Sequence, residues 1–151
     1  MPGQGLSSIM YTFHLQAVLD HRQRVEDQIK RELARIQRRL KTTQQELESL
    51  ENRMNATMAA LQQEQALGMS SDQVASVHTY LRRLAGQVAT HKGLLAELET
   101  QRASKRDELN DALKRRKILE NLKEQGLERY QRKIAKKEMD FIDEIAVSRF
   151  A

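Results

Sequence analysis

The chain has 151 residues, of which 31% are charged and only 4% are aromatic, and it contains neither cysteine nor tryptophan. A packed globular core of this size normally draws on aromatic and β-branched side chains. Here Leu, Ala and Met are instead interspersed with Gln, Glu, Lys and Arg, a mixture typical of long helices and coiled coils. The lack of cysteine excludes a disulfide framework and any thiolate-bound metal.

The net charge of +5 is unevenly distributed. Basic residues are in excess in the first fifty residues and after residue 100, whereas the middle of the chain is nearly neutral. If the chain folds back on itself, its two ends form one basic end, which could meet an acidic protein surface, nucleic acid or anionic lipid. Because neither a signal-peptide pattern nor an apolar run of about 20 residues occurs, the sequence predicts a cytoplasmic protein with no integral membrane segment.

Apolar residues in the first half recur at alternating steps of three and four, the heptad signature of a coiled coil. This pattern predicts a first helix over about residues 8–67. Two consecutive steps of four, Val25–Ile29–Leu33 and Leu50–Met54–Met58, predict insertions that locally unwind the supercoil. The predicted seam consists of Leu15, Val18, Arg22, Val25, Ile29, Leu33, Ile36, Leu40, Thr43, Leu47, Leu50, Met54, Met58 and Leu61.

The one convincing break follows this series, at about residues 68–71. Gly68 suits the left-handed residue that closes a helix, and Ser70 with Gln73 forms a capping box that opens the next one. A connection this short forces the two helices to return side by side and antiparallel.

The second half repeats the heptad spacing and predicts a helix over about residues 71–148. Its seam weakens at Arg102 and Lys105, which are polar, so pairing is expected to be weaker there. The predicted seam residues are Val74, Val77, Leu81, Leu84, Val88, His91, Leu95, Leu98, Leu109, Ala112, Leu119, Leu122, Leu127, Tyr130, Ile134, Phe141 and Ile145.

Folding the chain about residue 69 leaves roughly the last 18 residues of the second helix without a partner within the chain. This overhang carries the end of the apolar stripe beside a basic run, Arg132–Lys137, and therefore predicts a docking surface. A frayed terminus or a self-association seam is the alternative. The predicted fold is all-α: a single domain over residues 1–151, built as a long two-helix antiparallel coiled-coil hairpin with a C-terminal helical overhang.

The sequence predicts neither catalysis nor a cofactor. His14 and His21 are two helical turns apart, too far to share one metal ion, and His91 reads as a polar layer of the seam. No glycine-rich phosphate loop is present, and a two-helix structure offers no concave site that excludes water. Nucleic-acid binding is disfavoured because basic residues alternate with acids, as in Lys105–Glu108.

Three local patterns in the sequence occur together in a known family. The stretches Tyr11–Arg22 (YTFHLQAVLDHR) and Lys136–Arg149 (KKEMDFIDEIAVSR) resemble the opening and closing stretches of the flagellar FliJ family. Beyond the turn, Tyr80, Leu84 and His91 match an aromatic–Leu–(Ala)–His pattern, although Gln87 stands where the family has a small apolar residue.

This resemblance implies a soluble, non-enzymatic component of the flagellar type III protein export apparatus. Family members resemble the two-helix stalk of a rotary ATP synthase. The implied partners are the hexameric export ATPase (FliI), the cytoplasmic part of the export gate protein (FlhA) and export chaperones, with the protein peripheral to the inner membrane at the flagellar base.

The resemblance also implies two sets of site residues. Tyr80, Leu84, Gln87 and His91 are expected to bind the export gate, although Leu84 and His91 lie on the predicted seam. The residues expected to bind the ATPase are Phe13, Leu15, Arg22, Arg132, Lys133, Lys136, Lys137, Asp140 and Glu144.

Three alternatives remain open at this point. One is a generic coiled-coil scaffold or self-associating rod, and another is a basic rod that binds nucleic acid or lipid. The third is the equivalent stalk protein of a virulence injectisome.

Overall fold

Two long helices form the structure. The computed structural model describes residues 11–150, with side chains for residues 11–149. Helix α1 (Gln16–Leu67) and helix α2 (Ser71–Phe150) pack against each other as an antiparallel hairpin, and no strand occurs in this part of the chain. The predicted all-α hairpin is therefore confirmed.

Contacts along the hairpin divide it into two units. The turn unit, Ile29–Glu108, contains the connection and the adjoining parts of both helices. The terminal unit combines Met1–Gln28 with Leu109–Ala151 and so brings together segments from both ends of the chain.

The connection between the helices has the predicted chemistry. Gly68 has a φ of 96°, in the left-handed region that glycine adopts without steric cost. The Ser70 backbone N–H donates to Gln73 Oε1 and the Gln73 N–H donates to Ser70 Oγ, both at 3.2 Å. These reciprocal bonds are the capping box expected from the sequence, and α2 begins at Ser71.

Within the described residues, α1 begins later than the sequence predicted. The predicted start, at about residue 8, lies outside the described residues. Tyr11–Phe13 are not helical, and α1 begins at Gln16, where the Gln16 N–H donates to the Phe13 carbonyl over 3.1 Å. The Tyr11 hydroxyl donates to the Lys123 carbonyl of α2 at 3.4 Å. This attachment to α2 replaces the helical turn that the heptad spacing predicted.

In the turn unit, burial follows most of the predicted seam. Leu84 and Leu98 are each only 1% exposed, and Leu40, Thr43 and Leu61 are also buried. Met58 is an exception because it is 44% exposed, whereas its polar neighbour Thr57 is half-buried.

In the terminal unit, the seam includes polar residues that the sequence analysis passed over. Leu19 and Ala112 are buried at 8% and 7% exposure, and the Glu26 side chain is buried completely. The half-buried residues that continue this seam are Arg22, Arg116, Leu119, Lys123, Gly126 and Tyr130. Predicted seam residues Leu15, Val18 and Leu122 are 40%, 40% and 45% exposed.

With Glu26 and Thr57 on the seam, the steps of three and four alternate along α1 from Leu19 to Leu61 without interruption. The two predicted insertions are therefore wrong. They arose because Val25 and Met58, the apolar neighbours of Glu26 and Thr57, were assigned to the seam in their place.

The polar part of the α2 seam in the turn unit is occupied by ion pairs. Lys105 Nζ lies 2.6 Å from Glu32 and 3.0 Å from Glu108, and Arg102 lies 2.7 Å from Glu99. The hydrogen bonds to Glu32 and then to Glu108 raise the pKa of Lys105 above its ordinary value. The sequence predicted weaker pairing here because the seam loses apolar contact. The structure adds an attraction between the two helices at this point, the ion pair of Lys105 with Glu32.

Candidate functional site

The last part of α2 is almost entirely exposed. We call residues 131–149 the docking segment; all of its described side chains are exposed except Ile134, which is half-buried. Phe141 is 63% exposed and Ile145 41%. Three further apolar residues that the predicted stripe omitted are also exposed: Met139, Ile142 and Val147 at 62%, 59% and 69%.

The charged candidate residues of the docking segment are also accessible. Arg132, Lys133, Lys136 and Lys137 are exposed, as are the acidic residues Asp140 and Glu144 that follow. Arg132 approaches Glu128 at 4.0 Å, but side-chain exposures of 81% and 59% leave this pair weakened by solvent. The segment therefore offers both signs of charge, beside apolar side chains, to a binding partner.

Phe13, the first of the N-terminal candidates, lies near the beginning of this segment, beside Tyr11. Tyr11 stacks at a tilt against Tyr130 of α2, with ring centroids 5.7 Å apart. A shallow groove there is lined by Tyr11, Phe13, Gln16, Lys123 and Leu127. Phe13 is half-buried in this region of the terminal unit, whereas Leu15 is 40% exposed.

Gly126 adjoins this attachment, which the sequence analysis missed. A Cβ atom at position 126 would overlap the Tyr11 hydroxyl, so any other residue there requires the end of the Tyr11 side chain to shift. The available sequence signal was a glycine inside a long helix, where it costs about 1 kcal/mol relative to alanine. Such a glycine often has a packing reason.

A buried ion-pair cluster was also missed. Arg116 of α2 donates to Glu26 of α1 through Nε and, at 3.4 Å, through Nη2, and its Nη1 donates to Glu120 at 2.6 Å. The hydrogen bonds to Glu26 and then to Glu120 raise the pKa of Arg116, so the guanidinium remains charged. The candidate Arg22 is half-buried on the same seam and is less accessible than the docking-segment cations.

The candidate gate-binding residues lie on α2 in the turn unit and differ in accessibility. Leu84 is 1% exposed and belongs to the core, and Tyr80 is half-buried. Gln87 is exposed, and the His91 side chain is 25% exposed. Of the four residues, Gln87 is therefore the most available to a partner.

His91 connects the two helices within the turn unit. Its Nδ1 faces the Gln87 carbonyl at 2.8 Å and its Nε2 faces Glu46 Oε2 at 3.1 Å. Both neighbours accept hydrogen bonds, so a protonated ring satisfies both contacts whereas a neutral ring donates to only one. His91 and Gln87 share a shallow groove with Glu46, Ser49, Leu50 and Arg53.

Two other kinds of site are absent from the part of the chain that the structure describes. Neither helix in the described part of the chain is long and apolar enough to span a bilayer. Among residues 11–150, no group of three or more His, Cys, Asp or Glu side chains is arranged to hold a metal ion.

The fold and these surfaces define an all-α hairpin with an exposed amphipathic end. A family model described as the flagellar FliJ protein matches residues 11–151, and the chain therefore belongs to the FliJ family. This is a family of non-enzymatic flagellar type III export components, so the chain is a flagellar export-associated protein. No curated protein and no solved structure gives a significant match.

Proposed function

We propose that the chain is the stalk of the flagellar export apparatus and binds the hexameric export ATPase (FliI) through its terminal unit. The observation that carries this proposal is the exposed docking segment, in which apolar side chains adjoin a basic run. An amphipathic helix with one face uncovered gains free energy when a partner covers that face.

The contact surface combines the docking segment with the N-terminal segment attached beside it. Arg132, Lys133, Lys136 and Lys137 supply positive charge, and Asp140 and Glu144 extend the contact along α2. Phe13 and Leu15 supply apolar area at its beginning. Arg22, half-buried on the seam of the same unit, completes the proposed set of contact residues.

The double charge reversal Lys136→Glu with Lys137→Glu tests this surface. Because both lysines are exposed, we expect the variant to keep its helicity by circular dichroism while its affinity for the ATPase hexamer falls by at least about tenfold. The matched control is Lys41→Glu with Lys92→Glu, two exposed lysines in the turn unit. Unchanged retention of the Lys136/Lys137 variant in a pull-down would reject the proposed ATPase surface.

The turn unit is the second contact site in this proposal, and its partner is the cytoplasmic part of the export gate protein (FlhA). Support comes from the groove in which Gln87 and His91 adjoin residues of α1. Gln87 makes direct contact, Tyr80 contributes its exposed edge, and buried Leu84 positions both by holding the helices together.

The substitution Gln87→Arg separates this role from folding because the side chain is exposed. We expect gate binding to weaken by roughly tenfold while ATPase binding stays unchanged. Gln101→Arg, also exposed on α2 within the turn unit, is the matched control. Equal gate affinity for the two variants would exclude the groove as the gate contact.

Escort of export chaperones and a cytoplasmic position, peripheral to the inner membrane at the flagellar base, complete the proposed role. Membership in the flagellar export family supports both. With two contact sites in different units, one chain could engage the ATPase and the gate together.

A further inference from the structure

Charges in the docking segment are separated into two blocks. Arg132, Lys133, Lys136 and Lys137 form a basic block, and the residues that follow at once form an acidic block: Glu138, Asp140, Asp143 and Glu144. All eight are exposed, and among the described residues only Arg132 has an ion pair, the long contact to Glu128.

This separation places like charges one helical turn apart within each block, whereas Lys136 and Asp140, where the blocks meet, attract each other. Lys133 and Lys137 lie one turn apart on the same side, as do Asp140 and Glu144, and like charges at this spacing destabilise a helix. A partner that presents the opposite order of charge would remove both repulsions.

The apolar residues of the segment continue a coiled-coil spacing. Ile134, Phe141 and Ile145 share one face, with Glu138 between the first two at steps of four and three. Ile142 flanks that face and is 59% exposed. This exposed face is therefore suited to packing against a second helix as in a coiled coil.

We infer that the docking segments of two copies of this chain pair antiparallel, about a two-fold axis near Met139. In that register Ile134 of one copy faces Ile145 of the other, and Lys137 lies beside Glu144 of the second copy. By symmetry this Lys137–Glu144 contact occurs twice, once on each side of the two-fold axis. A parallel pairing would place like charges together, so charge order selects the antiparallel one.

The dimer is weak. A helix of 19 residues is about 28 Å long, and an interface of that length is smaller than those of stable complexes. If the proposed function is also correct, dimerisation and ATPase binding use the same face and exclude each other. The dimer would then be a storage form of the free stalk.

Sedimentation of the full chain from about 1 to about 100 µM tests the inference, since this range covers the dissociation constants of small interfaces. We expect a monomer–dimer equilibrium that salt weakens. Lys137→Glu places two acidic residues together at each symmetric contact and Glu144→Lys places two lysines together, so each variant alone should dimerise at least about tenfold more weakly. Lys92→Glu is the control for charge change.

Mixing the Lys137→Glu chain with the Glu144→Lys chain is the decisive step. In a mixed dimer, the glutamate introduced in the first chain meets the lysine introduced in the second, and the unchanged Glu144 of the first chain meets the unchanged Lys137 of the second. Association should therefore return to about the original strength. A chain that stays monomeric throughout, a dimer unaffected by Lys137→Glu, or no recovery on mixing would each overturn the inference. An unmodified chain that binds the ATPase but never dimerises rejects the dimer alone, and an unmodified chain that dimerises as expected but does not bind the ATPase rejects only the ATPase surface.

Discussion

At the scale of single residues, the N-terminal segment depends on a glycine. Gly126 admits the Tyr11 ring to the surface of α2, where the ring also contacts Tyr130. The end of the Tyr11 ring fills the space that a side chain at position 126 would occupy. This attachment places Phe13 near the docking segment. The packing of Tyr11 at Gly126 therefore affects the proposed ATPase surface.

We expect Gly126→Ala to displace Tyr11, and Gly93→Ala provides the matched control because a Cβ there meets nothing within 4 Å. Gly93→Ala should raise the free energy of unfolding by about 1 kcal/mol, through helix propensity alone. Gly126→Ala should gain less because it loses the Tyr11 contact. Urea denaturation followed by circular dichroism measures both values.

A second comparison isolates the cause. In a Tyr11→Ala background, Gly126→Ala should recover the full gain of about 1 kcal/mol, since nothing remains to clash. If Gly126→Ala and Gly93→Ala stabilise the unmodified chain equally, Tyr11 does not occupy the surface at Gly126.

At the scale of elements, charged residues fix how α1 and α2 face each other in the terminal unit. Glu26 of α1 is fully buried against Arg116 of α2, whose side chain is 18% exposed. Desolvation makes such a pair a poor source of net stability, but a shifted register would separate two charges in a low-dielectric environment. The pair therefore acts against alternative registers.

Arg116→Met removes a partner of the buried Glu26 carboxylate and should lower the free energy of unfolding by about 3 kcal/mol. Adding Glu26→Leu should recover most of this loss because no buried charge then remains at that position. Arg115→Met, at an exposed neighbouring residue, should change stability by less than about 0.5 kcal/mol. Equal denaturation midpoints for Arg115→Met and Arg116→Met would contradict the role assigned to the pair.

The elements themselves were accessible from the sequence. Gly68, Ser70 and Gln73 have turn and cap chemistry that acts over a few residues, and the structure has both features. Seam positions were less secure where a polar residue adjoins an apolar one. Because Val25 and Met58 are more hydrophobic, they were assigned to the seam in place of Glu26 and Thr57. The sequence of one helix does not show which residues of the other helix contact a polar side chain, so a buried polar residue is not recognised.

The candidate surfaces show the same division. The exposed docking segment followed from unequal helix lengths, which are counted along the chain. The Tyr11–Gly126 attachment and the contact of His91 with Glu46 join residues that are far apart in sequence. No local pattern encodes such a pairing, so the structure was needed to find it.

At the scale of the whole molecule, the two units differ in how much of their apolar surface is buried. The turn unit contains the most deeply buried leucines, and the terminal unit contains the exposed docking segment. Strong pairing over most of each helix keeps α1 and α2 folded, so the last part of α2 can remain uncovered until a partner binds. Flagellar export membership makes the export ATPase the partner to test first.

Amide hydrogen exchange on the dilute chain, with and without the ATPase hexamer, tests this division most directly. Without the ATPase, amides near Leu40, Leu84 and Leu98 should be strongly protected while those of residues 135–149 exchange rapidly, because unpaired helix ends open locally. Added hexamer should slow exchange in residues 132–149. If residues 135–149 of the free chain were as well protected as the buried leucines, the last part of α2 would not be uncovered. If exchange in residues 132–149 did not change on adding the hexamer, the proposed ATPase contact would be contradicted.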